Sequence, residues 1–126
     1  GMVHALLRTT AGRVCRADSP DGGRTWSPVY LTDLPNNNSG IDVTKTDDER
    51  LYLLYNPNSA DWGSRSPLTL AVSSDNGKTW TNVAHLETEA GEYSYPAIIT
   101  TDKGVALSYT WKRERIRAWH IPLAAL

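Results

Sequence analysis

The chain has 126 residues, a formal net charge of −1, 40% hydrophobic residues and 21% charged residues. That is enough for one globular domain with its own core, and the near-neutral charge excludes an electrostatic case for nucleic acid or an anionic membrane. No apolar run approaches the ~18 residues of a membrane span, and a single cysteine, Cys15, excludes an internal disulfide and leaves the compartment unread.

The chain opens Gly1-Met2, a pair of the kind tag removal leaves, so Met2 reads as the first encoded residue. Val3-His4-Ala5-Leu6-Leu7 already alternates as a strand. A domain that starts mid-pattern reads as a fragment or an unusually short relative. No segment sustains a helical apolar period, whereas short alternating runs bounded by Pro, Gly, Asn and Asp recur throughout. Ten strands follow, over 3–8, 12–18, 25–32, 41–46, 50–56, 67–74, 79–87, 94–101, 104–111 and 115–121. Cys15 falls inside the second of these, where a buried, inert thiol is expected. The fold class is all-β.

One octet occurs twice. Ser19-Pro20-Asp21-Gly22-Gly23-Arg24-Thr25-Trp26 and Ser73-Ser74-Asp75-Asn76-Gly77-Lys78-Thr79-Trp80 share the pattern S-x-D-x-G-x-T-W, 54 residues apart. A period of that size points to a propeller, solenoid or array. Each copy lies between two extended runs and so reads as a hairpin turn. Asp21 and Asp75 can accept backbone N–H groups a few residues on. Gly23 and Gly77 supply a positive φ. Trp26 and Trp80 offer large apolar faces, and both are expected to be mostly buried.

These octets resemble the Asp-box, or BNR repeat, of sialidases and their relatives. The resemblance extends along the chain through Val3 to Gly12, Pro35 to Asp42, Glu92 to Ala97 and Tyr109 to Ile116. It implies a β-propeller of six blades in which each box joins a blade's third and fourth strands, away from the active site. On that phase the chain holds three blades as one partial propeller domain, residues 1–126. Strands two to four of one blade span about 3–32, a full blade spans about 41–87, and strands one to three of another span about 94–121. The chain then resembles the C-terminal half of the propeller. A half-ring leaves two blade faces bare, which implies a homodimer that completes six blades.

The same resemblance implies which residues carry chemistry. Sialidases grip the substrate carboxylate with three arginines, whose planar forks bind it bidentately. Arg8 matches the second arginine and Arg65 the third. Tyr93, in Tyr93-Ser94, matches the tyrosine nucleophile, which needs a carboxylate to take its proton. The family's partner glutamate lies on an inner strand this chain does not show. Glu92 neighbours Tyr93 but points to the other face by alternation, and Asp42, opening another inner strand, is the better-placed carboxylate. Nothing matches the family's acid/base aspartate or first arginine.

Two classes of function therefore stay open. One is a sialidase-type glycoside hydrolase domain acting on a terminal acidic sugar. The other is a non-catalytic carbohydrate-binding or scaffold propeller. No cofactor or metal is called for, since His4, His85 and His120 lie far apart in strand patterns. Lys112, Arg113, Arg115 and Arg117 form a basic cluster beside Trp111 and Trp119, read either as a solvated outer strand or as a rim for an anionic sugar.

Overall fold

A computed structural model describes residues 1–126. Ten antiparallel strands form three separate sheets. The first sheet contains β1 (Val3–Leu7), β2 (Arg13–Ser19) and β3 (Tyr30–Pro35), in that order. The second contains β4 (Asp42–Lys45), β5 (Leu51–Tyr55), β6 (Leu68–Ser73) and β7 (Thr81–Glu87). The third contains β8 (Tyr93–Thr100), β9 (Gly104–Trp111) and β10 (Arg115–Pro122), and a single 3-10 turn, Leu123–Ala125, ends the chain. No helix is long and apolar enough to cross a membrane.

Both octets close hairpins, between β2 and β3 and between β6 and β7. In each, the serine hydroxyl accepts the glycine N–H at 2.8 Å. The aspartate accepts the threonine N–H at 2.8 Å and the threonine hydroxyl at 2.6 Å in the first box and 2.5 Å in the second. The tryptophan Nε1 donates back to the glycine carbonyl at 3.0 Å and 3.1 Å. Gly23 and Gly77 take φ of 94° and 85°, a region L side chains resist. These bonds hold Asp21 and Asp75 as carboxylates with pKa lowered to about 2, chiefly through the threonine hydroxyls.

The third strand departs from expectation. It begins at Tyr30 rather than near residue 25. Ser27 is spent on Asp18, donating its N–H to the Asp18 carbonyl at 2.8 Å and accepting the Asp18 N–H on its hydroxyl. Pro28 has no N–H to give a ladder, so pairing resumes only beyond it. The second box lacks a proline there, and β7 starts directly after Trp80.

The middle sheet is covered on both faces because β5 is apolar on both. Tyr52 and Leu54, with Leu70 of the same sheet, face Ile98, Leu107 and Tyr109 of the third sheet. Leu53 and Tyr55, with Ala71 of the same sheet, face Val14 and Leu34 of the first sheet. Trp80 packs into this second cluster. Trp26 does not share that fate: it is 44% exposed, a correction to its expected burial. Its box is built the same way, but no sheet lies against that side of the first sheet. Cys15 is buried and free, as expected.

All five connections that approach one end of the sheets are non-box loops: residues 8–12, 36–41, 56–67, 88–92 and 112–114. The boxes and the other tight turns occupy the opposite end.

Candidate functional site

The non-box end gathers Arg8, Arg65, Tyr93 and Asp42 through a run of asparagines. Arg8 follows β1, and its Nη2 donates to the Asn38 carbonyl. Asn37 Nδ2 donates to the Ser64 carbonyl at 2.8 Å, tying the 36–40 loop to the loop carrying Arg65. Asn56, fully buried, places Nδ2 3.0 Å from each of the carbonyls of Arg65, Pro67 and Tyr93, which share its two hydrogens. Its Oδ1 accepts the Ser39 hydroxyl, and Tyr93 N–H closes the circle on the Arg65 carbonyl at 3.0 Å. A buried amide saturated in this way fixes three loops at once. Asn56 escaped the sequence reading. Its only local signal is its place at the end of β5 in Tyr55-Asn56-Pro57-Asn58, where loop and strand meet.

Arg65 is held on two sides. Its Nη1 lies 3.2 Å from Glu92 Oε1, and its guanidinium sits 5.6 Å from the centroid of the Tyr95 ring. Tyr95 was not singled out from sequence either. It stands in an irregularity of β8 between Ser94 and Ala97, with φ of 52°, and is largely exposed. Bulges of this kind turn a side chain away from its regular direction, and strain at a tyrosine in the left-handed region is typical of functional loops. Trp62, with φ of 55° and 72% exposed, stands just upstream of Arg65. Glu92 also grips Arg113, with Nε 2.6 Å from its Oε2.

Tyr93 reaches the same end but turns inward, into the core between the second and third sheets, and is fully buried. Gly91 lies over its hydroxyl so closely that a Cβ there would sit 2.9 Å from Oη. Three buried side-chain atoms of this region, Arg65 Nη1, Tyr93 Oη and Ser94 Oγ, have no hydrogen-bond partner. For Arg65 Nη1 the Glu92 contact is close enough for ion pairing but not aligned as a hydrogen bond. Buried polar atoms are usually satisfied, so three such atoms in adjoining segments set this region apart.

The terminal atoms of Arg8, Arg65 and Tyr93 do not face one cavity. The four cavities of the molecule lie elsewhere, and the largest, about 450 Å³, sits between the first and second sheets toward the box end, beside His4, Arg16 and Trp80. The Tyr93 ring fills core space under Gly91. Asp42 is also occupied: its Oδ2 accepts the Ile98 N–H at 2.8 Å, joining β4 to β8 across the second and third sheets. Tyr93 Oη has no carboxylate partner. No group of three or more His, Cys, Asp and Glu residues comes together to hold a metal ion.

Three antiparallel sheets, two of them turned by identical Asp-box hairpins, are blades of a sialidase-type β-propeller. Residues 1–107 match the family described as a BNR repeat-like domain, and the chain belongs to that family. Among solved structures it resembles the leech intramolecular trans-sialidase in complex with 2,7-anhydro-Neu5Ac, with a TM-score of 0.73 and 17% identity over 100% of this chain and 22% of that one. It also resembles the intramolecular trans-sialidase from Ruminococcus gnavus in complex with oseltamivir carboxylate, with a TM-score of 0.64 and 20% identity over 98% of this chain and 29% of that one. The chain thus spans less than a third of either enzyme, and at these identities the likeness is one of fold. Comparison with curated proteins gave no match.

Proposed function

We propose that this chain supplies part of an acidic-sugar site in a sialidase-like propeller, with Arg65 and Arg8 receiving the sugar's carboxylate and Tyr93 beneath them. The observation that carries the reading is the gathering of Arg8, Arg65 and Tyr93 at the non-box end, with the Arg65 guanidinium over the largely exposed Tyr95 ring. A planar guanidinium is suited to bind a carboxylate bidentately. Tyr95 and the exposed Trp62 add aromatic faces beside that point.

Hydrolysis is a further step and needs groups these residues do not provide. A tyrosine nucleophile requires a base, and Asp42 is committed to Ile98. General acid catalysis requires a second carboxyl group at the leaving oxygen. The sealed Tyr93 favours the second reading, a binding propeller without turnover, for the chain acting alone. The two propeller faces without a neighbour point to assembly: Trp26, Leu31, Ile99 and Ile116 are all exposed, and a second copy would cover them in a closed ring.

Isothermal titration with N-acetylneuraminic acid tests the reading. Binding that Arg65→Ala weakens about tenfold or more, with unchanged thermal unfolding, is the expected result. No binding, or binding indifferent to both Arg65→Ala and Arg8→Ala, overturns it.

A further inference from the structure

The turn between β9 and β10 and the first residue of β10 carry two cations, Lys112 and Arg115, that form no ion pair with a carboxylate of the protein. Lys112 and Arg113 both lie in the left-handed region, with φ of 51° and 56°, where two-residue turns ordinarily place Asn and Gly. Such a backbone persists only when its surroundings impose it. Here they do. Lys112 N–H donates to the Glu92 carbonyl at 2.7 Å, and Glu114 N–H donates to the Trp111 carbonyl at 3.0 Å. The Arg113 side chain is clamped on Glu92. The turn is therefore fixed against the same residue that flanks Arg65.

The four cations of the cluster then divide. Arg113 pairs with Glu92, and Arg117 pairs with Glu87 at 3.0 Å. Lys112 and Arg115 instead rest on one indole: Lys112 Nζ is 4.6 Å and Arg115 Cζ is 4.8 Å from the Trp111 ring centroid. An aromatic face orients a cation without cancelling its charge. Trp111 pairs directly with Tyr93 on one side and Arg115 on the other, so Lys112 follows the strand next to Tyr93 and Arg115 stands one strand further out.

We infer that Lys112 and Arg115, held on Trp111, form a second anion subsite, so that the ligand is an acidic oligosaccharide with charges on two adjacent sugars rather than one terminal acidic sugar. The inference rests on the acidic-sugar reading of Arg65. One carboxylate meets Arg65, and the next meets Lys112 and Arg115, whose fork and ammonium suit a carboxylate without competition from an internal one.

The experiment compares N-acetylneuraminic acid with its α2,8-linked dimer by titration calorimetry on the full chain, with a Lys112→Gln/Arg115→Gln double variant alongside. The dimer is expected to bind about fivefold tighter than the monomer, as two partly exposed ion pairs allow. That advantage should vanish in the double variant, while the monomer's affinity stays the same there, and should shrink in ~0.5 M salt, which screens exposed ion pairs. Equal affinities for the two sugars overturn the second subsite and leave the Arg65 site standing. A dimer preference that survives in the double variant overturns the assignment to Lys112 and Arg115. Absence of binding by either sugar overturns both.

Discussion

Arg65 Nη1 lies 3.2 Å from Glu92 Oε1, close enough to share charge but without hydrogen-bond alignment. An internal carboxylate thus sits where a ligand's would compete. Glu92→Gln keeps the shape and removes the charge. It is expected to tighten N-acetylneuraminic acid binding about fivefold, the scale of one partly exposed ion pair. Unchanged or weaker binding in a titration would mean that Glu92 orients Arg65 for the ligand instead of competing with it.

Trp80 and Trp26 have the same hydrogen bonds and different surroundings. Trp80 packs against the cluster of Val14, Leu34, Leu53, Tyr55 and Ala71 at the joint between the first two sheets, whereas Trp26 is half-exposed. Trp80→Ala should cost about 2 kcal/mol, below the range for a fully buried tryptophan because Trp80 is only partly buried, and Trp26→Ala about 1 kcal/mol or less by the same area argument. Denaturant unfolding of the two variants checks this. Equal losses would mean that the joint contributes nothing beyond the local turn.

Acid should unfold the protein through its boxes. Asp21 and Asp75 titrate at about 2 in the fold against an ordinary value of 3.8, because threonine hydroxyls and backbone N–H groups favour the carboxylate. Their contribution is therefore complete above the unfolded value and is lost as pH falls from near 4 toward 2. Melting temperature should drop over that window, and less steeply in Asp21→Asn and Asp75→Asn. An identical pH slope in the variants would place the acid sensitivity elsewhere, for example at Asp18, which also titrates at about 2 through its bonds from Tyr30 and His4.

The chain alone should not hydrolyse a sialyl substrate. A positioned acid or base typically contributes on the order of 10²–10⁴-fold, and Tyr93 Oη has no such partner. A fluorogenic sialoside assay measures it. Robust turnover abolished by Tyr93→Phe would show that a carboxylate, Asp42 or Glu92, moves to serve the tyrosine.

Light scattering addresses assembly. The bare faces of the first and third sheets are expected to associate in a dimer of twice 13.9 kDa, and an aspartate in place of Trp26 or Ile99 should return it to monomer. A monodisperse monomer of the unaltered chain would rule the closed ring out.

The sequence by itself determined the three-sheet architecture, because its determinants are local. Alternation sets the faces, and each S-x-D-x-G-x-T-W octet folds through bonds among its own residues, so both turns were legible without any partner. It also pointed to Arg8, Arg65 and Tyr93 on one end of the sheets. What it could not determine depends on contacts far apart in the chain. Pro28 and the Ser27–Asp18 bonds delayed the third strand. How far a tryptophan is covered depends on having a neighbouring sheet, which the partly buried Trp80 has and Trp26 lacks. Asn56 binds three carbonyls brought together only by folding. Tyr95 meets Arg65 because β8 breaks its register. Asp42 looks free in the sequence and is taken by Ile98, 56 residues away. Local hydrogen-bond chemistry is written in neighbouring residues, whereas satisfaction and burial of a polar side chain are properties of the packed whole.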